Sequence, residues 1–195
     1  MSRRSQSSSG NFVPHRRYGS EPMSSGHKVS EKEIRQGFWR LARDKIFPES
    51  VLLAAPEKQN YSIYPRKYYV DVERICRTCH RPFIFFAREQ RYWFETLRFF
   101  VDADCVLCPD CRRESRAVQR RLRRYSDLHA KPEPSRKELM FLVDDAGYLV
   151  ERGVLKNLSS VGAVKNRAMK NIPEYPGLQS LVTILTAARQ AKNAP

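Results

Sequence analysis

The residues best placed to do chemistry are five cysteines. Cys76 and Cys79 form one C-x-x-C, Cys108 and Cys111 form a second, and Cys105 stands three residues ahead of Cys108. Two residues between ligands let a tight turn aim both thiolates at one point about 2.3 Å away, the bond length of tetrahedral zinc–thiolate sites. Pro109, inside the second pair, favours such a turn by fixing its own backbone angle. Four thiolates would close the coordination shell and leave no position for a water, so the zinc ion would be structural. The other chemistry open to C-x-x-C is thiol–disulfide exchange, with Cys105 as a spare reactive thiol in Arg-rich surroundings; no βαβ pattern accompanies either pair. A disulfide scaffold is excluded, because such chains are short, secreted and cysteine-dense. Cys105 and Cys108 also have C-x-x-C spacing, which leaves Cys105 an alternative to Cys111 as fourth ligand. Pro109 and the basic run that follows favour the later pair. His80 directly follows Cys79 and would point away from a metal held by that turn.

The second chemistry-bearing feature begins where the cysteines end. Seven of the thirteen residues from 112 to 124 are Arg, against one acid, Glu114. On a helix Val118, Leu122 and Tyr125 line one face while Arg113, Arg116, Arg120 and Arg123 line the opposite one. A guanidinium grips phosphate in two places where an ammonium is a point charge. Arg112, Arg113, Arg116, Arg120, Arg123 and Arg124 are therefore the expected phosphate contacts. Such contacts position a protein without reading bases, which favours RNA or a ribonucleoprotein such as the ribosome over sequence-specific DNA.

Around these features the chain has 195 residues, 36 Lys+Arg against 21 Asp+Glu, and a formal charge of +15. Arg outnumbers Lys, 25 to 11. A chain this basic needs an acidic partner to neutralise it, and phosphate backbones are the commonest. No stretch approaches the ~20 apolar residues of a membrane span, and no signal-peptide apolar region opens the chain, so a cytoplasmic protein is expected. An Arg/Ser-rich, acid-poor start leaves mitochondrial targeting as a lesser alternative. A glycine-rich phosphate loop, G-x-S-x-G and H-E-x-x-H are all missing, so no enzyme is expected.

The elements that must position the cysteines and arginines follow from local pattern. Residues 1–29 are polar and basic and read as a disordered arm whose Arg3, Arg4, Arg16 and Arg17 would aid the phosphate contacts of the Arg-rich helix. Ser30 and Glu33 make a capping box for a packing helix over 30–47, with Ile34, Phe38 and Leu41 on one face and Pro48 as its stop. Tyr61–Asp71 is an extended lead-in, and Phe83–Phe86 a short strand. Ala87–Leu97 is an aromatic helix filling the 28 residues between the cysteine pairs, its rings serving as a small core. The Arg-rich helix continues over 112–130. Lys131-Pro132-Glu133-Pro134 is a stiff break, followed by a small helical unit over 135–195. Within that unit Ser135 and Glu138 form a second capping box, and a last helix carries Leu181, Val182 and Leu185 on one face. The class expected is α+β.

Residues from about Pro48 to Glu114 resemble the probable zinc-ribbon domain family of short bacterial proteins. Tyr68-Tyr69-Val70-Asp71 leads into Cys76-Arg77-Thr78-Cys79, followed by Phe85, Ala87, Gln90 and Tyr92-Trp93-Phe94-Glu95, and finally Cys108-Pro109-Asp110-Cys111-Arg112. The resemblance implies that Cys76, Cys79, Cys108 and Cys111 are the zinc ligands and that Cys105 is not. It implies little about function. Beside the RNA reading stands a protein-interaction adaptor, docking through Ile34/Phe38/Leu41 or Leu181/Val182/Leu185 if those faces are exposed.

Overall fold

The computed structural model describes residues 12–193. The chain divides into two compact units, Met1–Arg113 and Glu114–Pro195. Among the described residues no helix is long and apolar enough to cross a membrane.

The first unit is built on a three-stranded antiparallel sheet in the order β1-β2-β3, with β1 at Ile46–Leu53, β2 at Tyr68–Ile75 and β3 at Pro82–Phe85. Strand alternation gives the sheet two apolar faces. Phe83 and Phe85 pack with Val13, Cys76, Cys105 and Cys108, while Ile84 and Phe86 pack with Phe12. Beside β1 and β2, Ile34, Phe38, Leu41, Val51, Val70 and Val101 form a further cluster. The α+β class is as expected.

Ser30 caps α1 (Glu31–Gln36) with the capping box read from sequence. The expected helix over 30–47 nevertheless ends at Gly37, where a Cβ would come within 2.5 Å of the Tyr68 ring. A 3₁₀ turn at Trp39–Ala42 follows, and then β1. Pro48 sits inside β1 rather than stopping a helix. The register with β2 shifts between Phe47 and Leu52, and a missing N–H is tolerated at such an irregularity on an edge strand.

The disordered-arm reading of 1–29 is also corrected from residue 12 onward; residues 1–11 lie outside the described residues. Val13 bridges Phe83 and donates its N–H to the Pro82 carbonyl at 2.9 Å. The Met23 N–H reaches the Asp71 carboxylate at 2.9 Å. Phe12 and Val13 supply apolar anchors that the polar composition of the rest of the segment conceals.

The aromatic helix expected over Ala87–Leu97 is α2 (Ala87–Arg91) widening into one π turn at Tyr92–Thr96, closed by Leu97 N–H to Tyr92 C=O at 2.9 Å. Phe94 is buried against Tyr69 and Ala87, as the core reading of these rings requires.

The second unit is helical. Helix α3 (Pro109–Ala130) starts in the first unit and continues into the second, followed by α4 (Arg136–Glu151), α5 (Leu158–Asn171) and α6 (Pro176–Asn193). One core gathers Tyr125 of α3, Leu139, Leu142, Val143, Ala146 and Leu149 of α4, Val161 and Val164 of α5, and Leu181 and Leu185 of α6. Val118 and Leu122 pack against it. The break at 131–134 therefore lies inside this unit and is not a domain boundary, because the apolar face of α3 has already joined the helices that follow.

Candidate metal centre and basic helix

The last residue of β2, Ile75, delivers Cys76 into a tight turn. Cys76 donates its N–H to Arg81 C=O at 3.0 Å and accepts from His80 N–H at 2.9 Å. His80 takes a left-handed φ of 56°, which turns the chain back into β3. Arg77 N–H reaches the Val106 carbonyl at 2.9 Å, tying this turn to the segment that brings in Cys108. The second pair is supplied by the start of α3: Cys108 immediately precedes it and Cys111 lies in its first turn, with Arg112 N–H on the Cys108 carbonyl at 2.9 Å.

The sulfurs of Cys76, Cys79, Cys108 and Cys111 all lie within 4.8 Å of one another. Cys79 Sγ and Cys108 Sγ are 3.7 Å apart. A tetrahedron with Zn–S bonds of about 2.3 Å has edges of about 3.8 Å, so the cluster fits one zinc ion held by four thiolates. Burial opposes ionisation of Cys76, but N–H groups of Cys108, Cys79 and Thr78 outweigh it and bring its thiol down to about 6.

Cys105, left open by spacing alone, is outside the cluster. It is 1% exposed, its S–H faces the Leu107 carbonyl at 3.5 Å, and burial pushes its thiol up to about 12. A buried thiol held in that form is a core residue, without the exposed thiolate that redox switching needs.

The six arginines read as phosphate contacts have different surroundings. Arg112 Nη1 pairs with the Glu89 carboxylate at 2.5 Å, and its guanidinium lies 5.6 Å from the Trp93 ring. Burial pushes the Glu89 carboxyl up, and the bonds from His15 and Arg112 outweigh it, so it is lowered overall. This pair ties the first turn of α3 to α2. Arg124 grips Asp145, whose side chain is fully buried, at 2.6 and 2.7 Å and lies over Phe141. Arg121, not among the six, adds a third bond to the same carboxylate at 2.9 Å. Arg113 pairs with Asp110 of its own helix at 3.1 Å, both half exposed. Arg116, Arg120 and Arg123 are exposed and make no ion pair among the described residues. The inward roles of Arg112 and Arg124 depend on Glu89 and Asp145. An acid pair, Asp144 and Asp145, within an apolar helical stretch was the available signal for Asp145.

The faces considered for an adaptor are occupied by the chain's own core: Ile34, Phe38 and Leu41 in the first unit, Leu181 and Leu185 in the second.

A cysteine turn joining the two strands of a hairpin, with two further cysteines at the start of a helix, defines a four-cysteine zinc domain. Residues 70–120 match the family described as a probable treble clef domain. The matched segment contains all four ligands, the aromatic α2 region and the first turns of α3, and it bears out the zinc-ribbon-like reading of this part of the chain. No curated protein and no solved structure matches the chain.

Proposed function

We propose that this is a non-enzymatic, structural-zinc protein that binds RNA or a ribonucleoprotein through the outer face of α3. The observation that carries this reading is the row Arg116, Arg120 and Arg123: three exposed guanidinium groups over two helical turns, about 10 Å. Val118, Leu122 and Tyr125 turn the other way into the core of the second unit, which fixes the row outward. The bonds from Arg121 and Arg124 to Asp145 hold the helix from rotating. Contacts of this kind neutralise phosphates without distinguishing bases, so affinity depends on charge and shape rather than sequence. The zinc site serves by fixing where α3 begins.

The test is a titration of the zinc-loaded chain with hairpin RNA and duplex DNA across a salt series. Affinity falling steeply with salt, and greater for RNA, supports the reading. Weak binding to both, indifferent to salt, contradicts it.

A protein partner is the second reading, moved to a surface other than the terminal helices. Trp39, Ile63 and Tyr64 are 64%, 73% and 73% exposed and line one shallow groove of about 190 Å³ with Val101. Exposed apolar clusters of this kind mark interaction sites. A Trp39→Ser/Tyr64→Ser variant that keeps an intact complex with a co-purifying protein would exclude that groove as the contact.

A further inference from the structure

A basic feature without a role so far is an open cavity of about 460 Å³ in the first unit. Its wall on one side is a single helical face: Arg88 and Arg91 of α2, then Tyr92, Glu95 and Thr96 of the π turn. Residues at these spacings project together, and the wider turn keeps the last three in line with the first two. The opposite wall is Arg17, Tyr18 and Met23 of the N-terminal segment.

The cavity is built by interactions outside it. The buried Asp71 carboxylate accepts the Ala87 N–H at 2.6 Å and the Met23 N–H at 2.9 Å, so one side chain of β2 pins the start of α2 and the N-terminal segment side by side. Tyr18 stacks on His15 with centroids 4.6 Å apart and leans on Phe86 at 5.4 Å, which holds its ring in place. On the other wall Tyr92 stays 50% exposed.

Three arginines line the cavity, Arg17, Arg88 and Arg91, all exposed. The acid that lines the cavity, Glu95, already accepts the Ala55 N–H at 2.8 Å. The cavity therefore offers net positive charge, two tyrosine rings and a thioether, in a volume within the range of small-ligand sites. Phosphate is gripped by arginine forks, and a planar base stacks on an exposed aromatic ring.

We infer that this cavity binds a nucleotide: the phosphate on Arg17, Arg88 and Arg91, the base against Tyr92, and the ribose hydroxyls toward Glu95 and Thr96. The ligand is a free nucleoside monophosphate or one nucleotide of a single strand. The site is separate from the arginine row of α3 and does not rest on that reading.

The test is calorimetric titration of the full zinc-loaded chain with AMP, adenosine, inorganic phosphate and a trinucleotide of uridine. AMP is expected to bind at least tenfold more tightly than adenosine or phosphate. Arg88→Gln/Arg91→Gln should weaken AMP at least tenfold with zinc content unchanged, and Tyr92→Ala should weaken AMP but not phosphate. AMP binding no tighter than phosphate, or unmoved by Arg88→Gln/Arg91→Gln, overturns the inference. A trinucleotide that binds more tightly than AMP and is lost in the same variant identifies a single strand as the source; weaker trinucleotide binding identifies the free nucleotide. Binding of hairpin RNA by the α3 row is read separately, so failure at one site leaves the other judged on its own.

Discussion

At the scale of single residues, five cysteines that are identical in type divide by surroundings into four ligands and one core side chain. Substituting Ser for Cys76, Cys79, Cys108 or Cys111 opens the shell, and zinc measured by atomic emission should fall from one per chain toward none, with loss of the first unit's fold. Cys105→Ser should keep its zinc, since this sulfur stands outside the cluster. Loss of zinc in Cys105→Ser would mean the ligand set is wrong.

Asp71 yields a second prediction at this scale. Burial pushes its carboxyl up to about 6, against N–H bonds from Ala87 and Met23, with Glu49 reinforcing the rise and Arg88 opposing it. A folded-state value above the ordinary 3.8 means the group's contribution to stability is fully present below about pH 4 and is lost as pH rises through about 6. Most of that loss falls between pH 4 and 6, so between pH 5.5 and 7.5 the zinc-loaded wild type should lose about 0.8 kcal/mol relative to Asp71→Asn, which does not titrate. Parallel pH profiles in urea denaturation would contradict this.

At the scale of elements, both capping boxes act as their sequences indicate. Glu138 returns to the Ser135 N–H at 2.8 Å while its own N–H reaches the Ser135 hydroxyl, so Ser135→Ala should cost the second unit about 1 kcal/mol in urea denaturation. No change would mean that Lys131, which also binds Glu138, holds this terminus by itself.

Periodicity and cap residues made the helices legible, and ligand spacing made the metal site legible, because both are local signals. The misread parts depend on distant residues. Gly37, just past α1, lies so close to the Tyr68 ring that a Cβ has no room, and Pro48 is accepted in β1 because a shifted register makes room for it. Residues 12–29 are ordered by two apolar anchors and one distant carboxylate. Arg112 and Arg124 look like their neighbours in sequence, and only Glu89 and Asp145, 23 and 21 positions away, distinguish them. The cavity between α2 and the N-terminal segment could not be read beforehand, since its walls are joined by contacts between residues distant in sequence: Asp71 with Met23 and Ala87, Tyr18 with Phe86, and His15 with Glu89.

At the scale of the whole molecule, one unit contains the metal ligands and the other has an apolar core without them. Both tryptophans, Trp39 and Trp93, belong to the first unit, so their fluorescence reports on that unit alone. Chelation of zinc should shift this fluorescence while much of the helical circular dichroism persists through α4, α5 and α6. Simultaneous loss of the entire helical signal would show that the second unit cannot stand without the zinc domain.

The central claim is that the outer face of α3 contacts phosphate, and comparison of wild type with Arg116→Gln/Arg120→Gln/Arg123→Gln on hairpin RNA across a salt series tests it most directly. With zinc content and helical signal unchanged, removal of three contacts should weaken binding and reduce the slope of log affinity against log salt by about 2–3. Affinity and slope equal to those of the wild type would contradict the claim.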